Sequence, residues 1–383
     1  MGTMRVESAR FGTLTARVST GSWNRFDLQM AFYALALAVV GLLMAYTNSA
    51  GAPLEAGSVF TRGLMWLAIA LVVFTVATAI DYRWLADFAW PLYALNLFLL
   101  ALTLVIGTGL AGVSRWINIF GMQFQFSELA KVLMAIVLAN YLAGRQGRLK
   151  SPVTIIGAAL LAAPPLALVL IQPDLGTSLV FGAIVFGTLF LSGASLRWLL
   201  ASAIVVASLL PVIWFFVLKD YQQQRLISFL NPSADPLGSG YQILQSEIAV
   251  GSGGLLGKGL TNGTLTQSDY LPVSSTDFVG ATLGEELGFI GCVVVLLLFA
   301  ALLWRVLLIG WRARDPFGLA FSGAVASMIV FQLLVNFGMV LGMMPITGIP
   351  LPFITHGGAS LISIALGLGI LQSIAMRQGK QMW

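Results

Sequence analysis

The sequence predicts an all-α polytopic membrane protein of about ten transmembrane helices, with a large extracytoplasmic loop between spans seven and eight that contains short amphipathic or re-entrant helices. Three observations lead there. Of 383 residues, 58% are hydrophobic and 9% charged, and the mean hydropathy of +0.92 lies far outside the soluble range. Ten segments approach the roughly 20 apolar residues needed to cross the hydrocarbon. Between the seventh and eighth, residues 219–288 turn polar and carry seven of the fifteen acidic residues: Asp220, Asp235, Glu247, Asp269, Asp277, Glu285 and Glu286.

In chain order, the segments are 26–46, 61–80, 84–106, 127–143, 153–171, 175–192, 196–218, 280–308, 317–342 and 358–376. The runs are continuous rather than alternating, so helices are expected and a barrel is not. With the N-terminus inside, fourteen of the twenty Lys and Arg residues fall in cytoplasmic loops and tails. That bias predicts both termini in the cytoplasm and residues 219–288 outside. The segments 108–126, 172–177 and 343–357 share the outer face, so four non-adjacent stretches are expected to converge there. Residues 1–25 read as a cytoplasmic tail without the apolar core of a cleavable signal peptide, and 26–383 as a single transmembrane domain.

Composition excludes several classes. The net charge of +5 reads as topology signal rather than a polyanion-binding patch. A single cysteine, Cys292, permits no intrachain disulfide, and a single histidine, His356, rules out a multi-histidine metal site.

Several polar groups interrupt the apolar pattern. Arg115 and Trp116 sit at the outer boundary, where Trp favours the interface and Arg snorkels. Equally, Arg115 would grip a phosphate and Trp116 would pack on a lipid or sugar. Ser127 is a candidate N-cap for the fourth span, with Glu128 in its first turn and Lys131 on the same face, three residues on. An ionisable pair within a span is either a structural ion pair or a functional site. Asp174 would cap the sixth span or stiffen a substrate mouth. In the long loop, 221–230 and 241–250 read as amphipathic helices, and the glycines of 251–259 permit tight turns and close backbone approach to a ligand. Glu285 and Glu286 read as acids opening the eighth span; Asp277 has less structural reason to be where it is. Gln332 and Asn336 share a face of the ninth span. His356, with no adjacent carboxylate or nucleophile evident, reads as a hydrogen-bonding wall residue.

Taken in order, Ser114-Arg115-Trp116, Ser127-Glu128-Leu129-Ala130-Lys131, Gln172-Pro173-Asp174-Leu175-Gly176-Thr177, Thr276-Asp277-Phe278, Gly284-Glu285-Glu286-Leu287-Gly288, Asn336 and Gly348-Ile349-Pro350-Leu351-Pro352-Phe353 resemble the SEDS family of cell-wall proteins, which includes RodA, FtsW and SpoVE. The likeness runs across all ten spans. Gly251-Ser252-Gly253-Gly254, Gly257-Lys258-Gly259 and Gly263-Thr264 resemble the elongation members more than the division members. The chain departs from the family at Leu271-Pro272-Val273 (Leu-Pro-Glu in the family), Ser275 (His), Phe126 (often Pro) and 355–360 (Ser-Tyr-Gly-Gly-Ser-Ser).

The resemblance implies a peptidoglycan glycosyltransferase that polymerises lipid II into β-1,4 glycan and releases undecaprenyl pyrophosphate. Displacement with inversion at an α-linked donor needs one base and a cationic cradle for the leaving group. The family's essential aspartate matches Asp277, and nearby cations would favour its ionised form. Arg115 and Lys131, with Lys258 behind them, are candidates for the cradle; Glu128 and Asp174 would orient them. A divalent cation, Mg or Mn, would bridge Asp277 and pyrophosphate. The implied partners are lipid II, a class B penicillin-binding protein and the elongation machinery. The rival reading is a lipid II flippase. A flippase needs a polar path across the bilayer, whereas the polar residues here cluster outside.

Overall fold

A computed structural model describes residues 23–49, 53–55, 57–107, 115–119, 122–235, 238–267 and 276–378. Asp269, Ser114 and the departures at 271–275 lie outside the described residues, as does most of the 1–25 tail. The chain is a multi-pass, membrane-embedded protein. Nine described helices are long and apolar enough to span: α1 (Leu28–Thr47), α2 (Val59–Ala79), α4 (Ala89–Ile106), α5 (Phe126–Ala143), α6 (Pro152–Ile171), α8 (Leu196–Phe216), α12 (Val279–Trp311), α13 (Pro316–Val340) and α14 (Gly358–Met376). The shorter apolar α7 (Leu175–Leu191), 17 residues long, corresponds to the sixth segment, which gives the ten-segment pattern.

Caps set many of the boundaries. The Asp27 carboxylate accepts from Met30 N (2.9 Å) to start α1, and Ser58 accepts from Thr61 N (3.1 Å) to start α2. The segment expected at 84–106 is two helices, α3 (Tyr82–Asp87) and α4, broken at Phe88. Pro91 explains the break, because it has no amide for the Asp87 carbonyl four residues back. The α4–α5 connection holds a hairpin that the hydropathy pattern did not predict. Its strands β1 (Ile117–Ile119) and β2 (Met122–Phe124) pair antiparallel, Ile117 opposite Phe124.

The bundle is organised around α5, α13 and α14, whose spanning windows are mostly buried, while α2 and α8 turn most of theirs outward. Apolar side chains of the inner helices, among them Leu138, Phe321, Ile329 and Leu371, have no solvent exposure. In the 219–288 region, the two amphipathic helices appear as α9 (Asp220–Leu230) and α10 (Ser239–Ser252), followed by a single turn, α11 (Thr264–Gln267).

Span eight is not continuous. Gly288 interrupts α12 with φ 66° and ψ −169°, a conformation that only glycine adopts without strain. A broken helix leaves carbonyls on one side and amides on the other without partners, and hydrocarbon supplies none. The loop after α10 supplies them. Lys258 N and Gly259 N donate to Glu285 O and Glu286 O (both 3.0 Å), while Phe289 N and Ile290 N donate to Gly254 O (2.9 Å) and Leu255 O (3.1 Å). This corrects two expectations. The glycines approach the backbone of α12: a Cβ at Gly253 or Gly257 would strike the Glu285 or Glu286 carbonyl region. Glu285 and Glu286, in turn, close the first segment of α12, just before the break, rather than open the span.

Candidate active site

A cavity of about 400 Å³ is walled by all four segments expected to converge. Arg115, Trp116, Gln123 and Gln125 come from the hairpin region, Asp174 and Thr177 from the turn into α7, Arg225 and Asp277 from the long loop, and Thr347 to Ser360 from the approach to α14. A volume of this size suits a small polar ligand or the head of a larger one.

Asp277 is held from behind by its backbone. Asn336 Nδ2, buried in α13, donates to Asp277 O (3.1 Å) and to Ile349 O (2.9 Å), tying the turn before α12 to the turn before α14. Thr355 Oγ1 accepts from Leu351 N (2.7 Å) and donates to Thr276 O (3.2 Å). Gly348, at φ 71°, lets the loop pass the Asp277 carboxylate: a Cβ there would stand 3.6 Å from Oδ2. Gly176 seats the same loop on α7, since a Cβ would lie 2.7 Å from Thr347 O. Burial pushes the Asp277 carboxyl up from its ordinary value; Arg225, the Thr276 hydroxyl and Arg115 pull it down, and Asp174 adds to the rise. The balance is upward, so the cations offset burial only in part, and the expectation of a cation-favoured ionised form is corrected to that extent.

The other expected residues fall into two groups. Arg115, Trp116, Glu128 and Asp174 are on the cavity wall. Arg115 is anchored: Nε donates to Gln172 O (3.0 Å), and Nη2 to Pro173 O and to Tyr221 OH (3.3 Å). Asp174 caps α7 through Thr177 N (3.1 Å) and accepts from Thr177 Oγ1 (2.8 Å) and Gln125 Nε2 (2.8 Å). Ser127 is not the cap of α5. Gln125 takes that position without a side-chain cap, and Ser127 lies within the helix, accepting from Gln125 Nε2 (3.0 Å).

Lys131 and Lys258 do not line the cavity. Lys131, 1% exposed, pairs with Glu128 at 2.7 Å and so stands behind the wall as its counter-ion. Lys258 pairs with Glu285 at 2.7 Å beside the α12 break. Arg225, the further cation on the wall, was not among the expected site residues. Its signal was present: it follows Tyr221 by four residues on an amphipathic helix, which puts both on one face. His356 is on the wall, and burial together with Arg62 pushes its imidazole below its ordinary value, favouring the neutral ring.

Comparison with known proteins decides the family. The model of the cell cycle proteins FtsW, RodA and SpoVE matches residues 28–380. The chain belongs to that family. It is 37% identical over 354 residues to the peptidoglycan glycosyltransferase MrdB of Escherichia coli, covering 92% of this chain and 94% of the relative. It is 36% identical over 365 residues to a probable peptidoglycan glycosyltransferase FtsW of Geobacter sulfurreducens, covering 92% and 96%. Among solved structures, a chain from work on the coordination of polymerization and crosslinking by a peptidoglycan synthase complex aligns with TM-score 0.77 at 34% identity, covering 93% of this chain and 99% of that one. The rod shape determining protein RodA of Thermus thermophilus aligns with TM-score 0.68 at 27% identity, covering 94% and 99%. The two solved chains share the helical architecture around which the cavity is built.

Proposed function

We propose that this family member is a peptidoglycan glycosyltransferase that polymerises lipid II for cell elongation, with Asp277 as the base. The observation that carries the reading is the position of Asp277: a carboxylate on the wall of a 400 Å³ cavity shared with Arg115 and Arg225, its backbone held by Asn336. Asp277 takes the proton of the acceptor 4-hydroxyl as that oxygen attacks the anomeric carbon of the donor. The bond to the diphosphate breaks with its electron pair, and the arginines balance the charge that leaves. No protein nucleophile is needed, and the configuration inverts. Trp116 offers an aromatic face to the substrate, Glu128 with Lys131 behind it shapes the floor, and Asp174 holds Gln125 and the α7 turn in place. Lys258 belongs to the scaffold of α12.

A divalent cation fits this donor set only in shared form. Among the described residues, no three His, Cys, Asp or Glu side chains come together as a metal cage. Asp277 would hold Mg or Mn together with phosphate oxygens and water, as Mg sites on phosphate substrates commonly do. There the ion would supply charge neutralisation for the leaving diphosphate. Chelation with EDTA is expected to stop polymerisation, and added Mg or Mn to restore it; full activity in EDTA would remove the metal from the reading.

The active site faces outward and both termini are cytoplasmic, a topology supported by the Lys and Arg distribution. A class B penicillin-binding protein is the proposed partner, because the related chain with TM-score 0.77 belongs to a complex that couples polymerization with crosslinking. The deciding experiment is reconstitution of purified chain with lipid II, with and without that partner. Wild type is expected to make glycan and Asp277→Asn about 10²- to 10⁴-fold less. Equal glycan from both would sink Asp277 as the base, and lipid II crossing vesicles without any glycan would favour transport.

A further inference from the structure

We propose that Arg225 is the substrate-gripping arm of the cavity: its guanidinium, rather than that of Arg115 alone, binds the diphosphate of the lipid-linked donor beside Asp277. The inference rests on the reading of Asp277 as the base. A guanidinium has five N–H donors in a rigid fork. Arg115 commits Nε and Nη2 to protein, donating to Gln172 O, Pro173 O and Tyr221 OH, so it is the more fixed of the two charges. Among the described residues, Arg225 has a hydrogen bond from Nη1 to Ile346 O at 3.5 Å, at the outer limit for such a bond. The rest of its fork is open to a ligand.

Both arginines are seated on the same tyrosine. Tyr221 OH contacts Arg115 and donates to Pro173 O (3.0 Å), while the Arg225 guanidinium lies 5.8 Å from the centre of the Tyr221 ring. Arg115, Arg225 and Thr347 also border a second cavity of about 30 Å³, so the Arg225 head has free space on that side. Two guanidinium groups facing one cavity repel each other until an anion enters between them, and a diphosphate matches their fork geometry. Arg225 is carried by α9, outside the membrane bundle, whereas Arg115 is tied to the turn that caps α7. The grip therefore joins a loop helix to a fixed wall.

The groups that line the cavity with Asp277 are Arg225 from α9, Arg115 beside the hairpin, Asp174 at the α7 turn, Glu128 from α5 and His356 before α14. A lysine at position 225 keeps the charge and loses the fork.

The test uses the full chain in proteoliposomes. Arg225→Gln and Arg225→Lys are compared with wild type for KM and kcat on lipid II, and for retention of radiolabelled polyprenyl diphosphate in an Asp277→Asn background. Arg225→Gln is expected to weaken diphosphate retention roughly 10- to 100-fold, the scale of one or two charge-assisted hydrogen bonds, and to raise KM in parallel. Arg225→Lys is expected to recover retention only in part. Retention equal to the parent in Arg225→Gln would overturn the proposal. So would a uniform fall in kcat with KM unchanged, which marks a structural role. If wild type makes no glycan, the polymerase reading fails, while diphosphate retention still reports on Arg225.

Discussion

Asp277 and Glu285 lie eight residues apart, one just before the first segment of α12 and one near its end, and they are used in opposite ways. Glu285 is fully buried and saturated. It accepts from Lys258 Nζ (2.7 Å), Thr264 Oγ1 (3.1 Å) and Leu265 N (3.1 Å) on one oxygen, and from Thr266 N (3.1 Å) and Thr266 Oγ1 (2.8 Å) on the other. Asp277 is held through its main chain, and its carboxylate faces a cavity with arginines across it. A carboxylate surrounded by protein donors has no capacity left for a substrate. One fixed by its backbone, with its oxygens on a cavity wall, is available for chemistry.

Substitutions that separate activity from stability test the contrast. The largest effect is expected at Asp277→Asn, which removes the base and lowers turnover by about 10²- to 10⁴-fold while the protein remains folded. Its melting behaviour should run the other way. A carboxyl whose folded value is raised costs stability as pH climbs from its ordinary range through the folded value, because the unfolded chain releases the proton first. Asp277→Asn is therefore expected to melt at or above the wild-type temperature at neutral pH; a clear drop would show that the carboxylate is structural. Glu285→Gln is the mirror image. It removes the charge on which Lys258, Thr264, Leu265 and Thr266 converge and weakens the loop anchor, with a loss of about 1–3 kcal/mol read from thermal unfolding in detergent. A turnover loss without a stability loss would break the comparison.

Gly288→Ala comes next. It forces a side chain into positive φ and against Gly257, at about 1–3 kcal/mol, visible as a lower melting temperature. Lys258→Met is the smallest, about 1 kcal/mol, because that ammonium is partly in solvent and Glu285 retains its hydroxyl and amide donors. A large polymerisation defect in Lys258→Met at unchanged stability would return Lys258 to the substrate.

Hydropathy made the span pattern legible, because a bilayer imposes one length on every crossing. It could not show the break at Phe88, which depends on the absent amide of Pro91, or the hairpin at 117–124. Asp277 and Arg115, expected from motif and resemblance, stand on the cavity wall. Lys131 and Lys258 stand off it, because a lysine looks the same in sequence whether it meets a ligand or a buried glutamate. Arg225 was legible only as the i+4 neighbour of Tyr221, a pattern that becomes a site residue once α9 is laid across the Pro173 turn. The acids at 285 and 286 were assigned to a helix start because nothing in a hydropathy profile marks the break that Gly288 makes.

That break also imposes an order of assembly. The carbonyls of Gly254 and Leu255 and the amides of Lys258 and Gly259 precede α12 in the chain, so they leave the ribosome before the groups they satisfy. Span eight therefore enters the bilayer with its missing partners already made, and the interrupted helix need not wait for later synthesis to become tolerable to lipid.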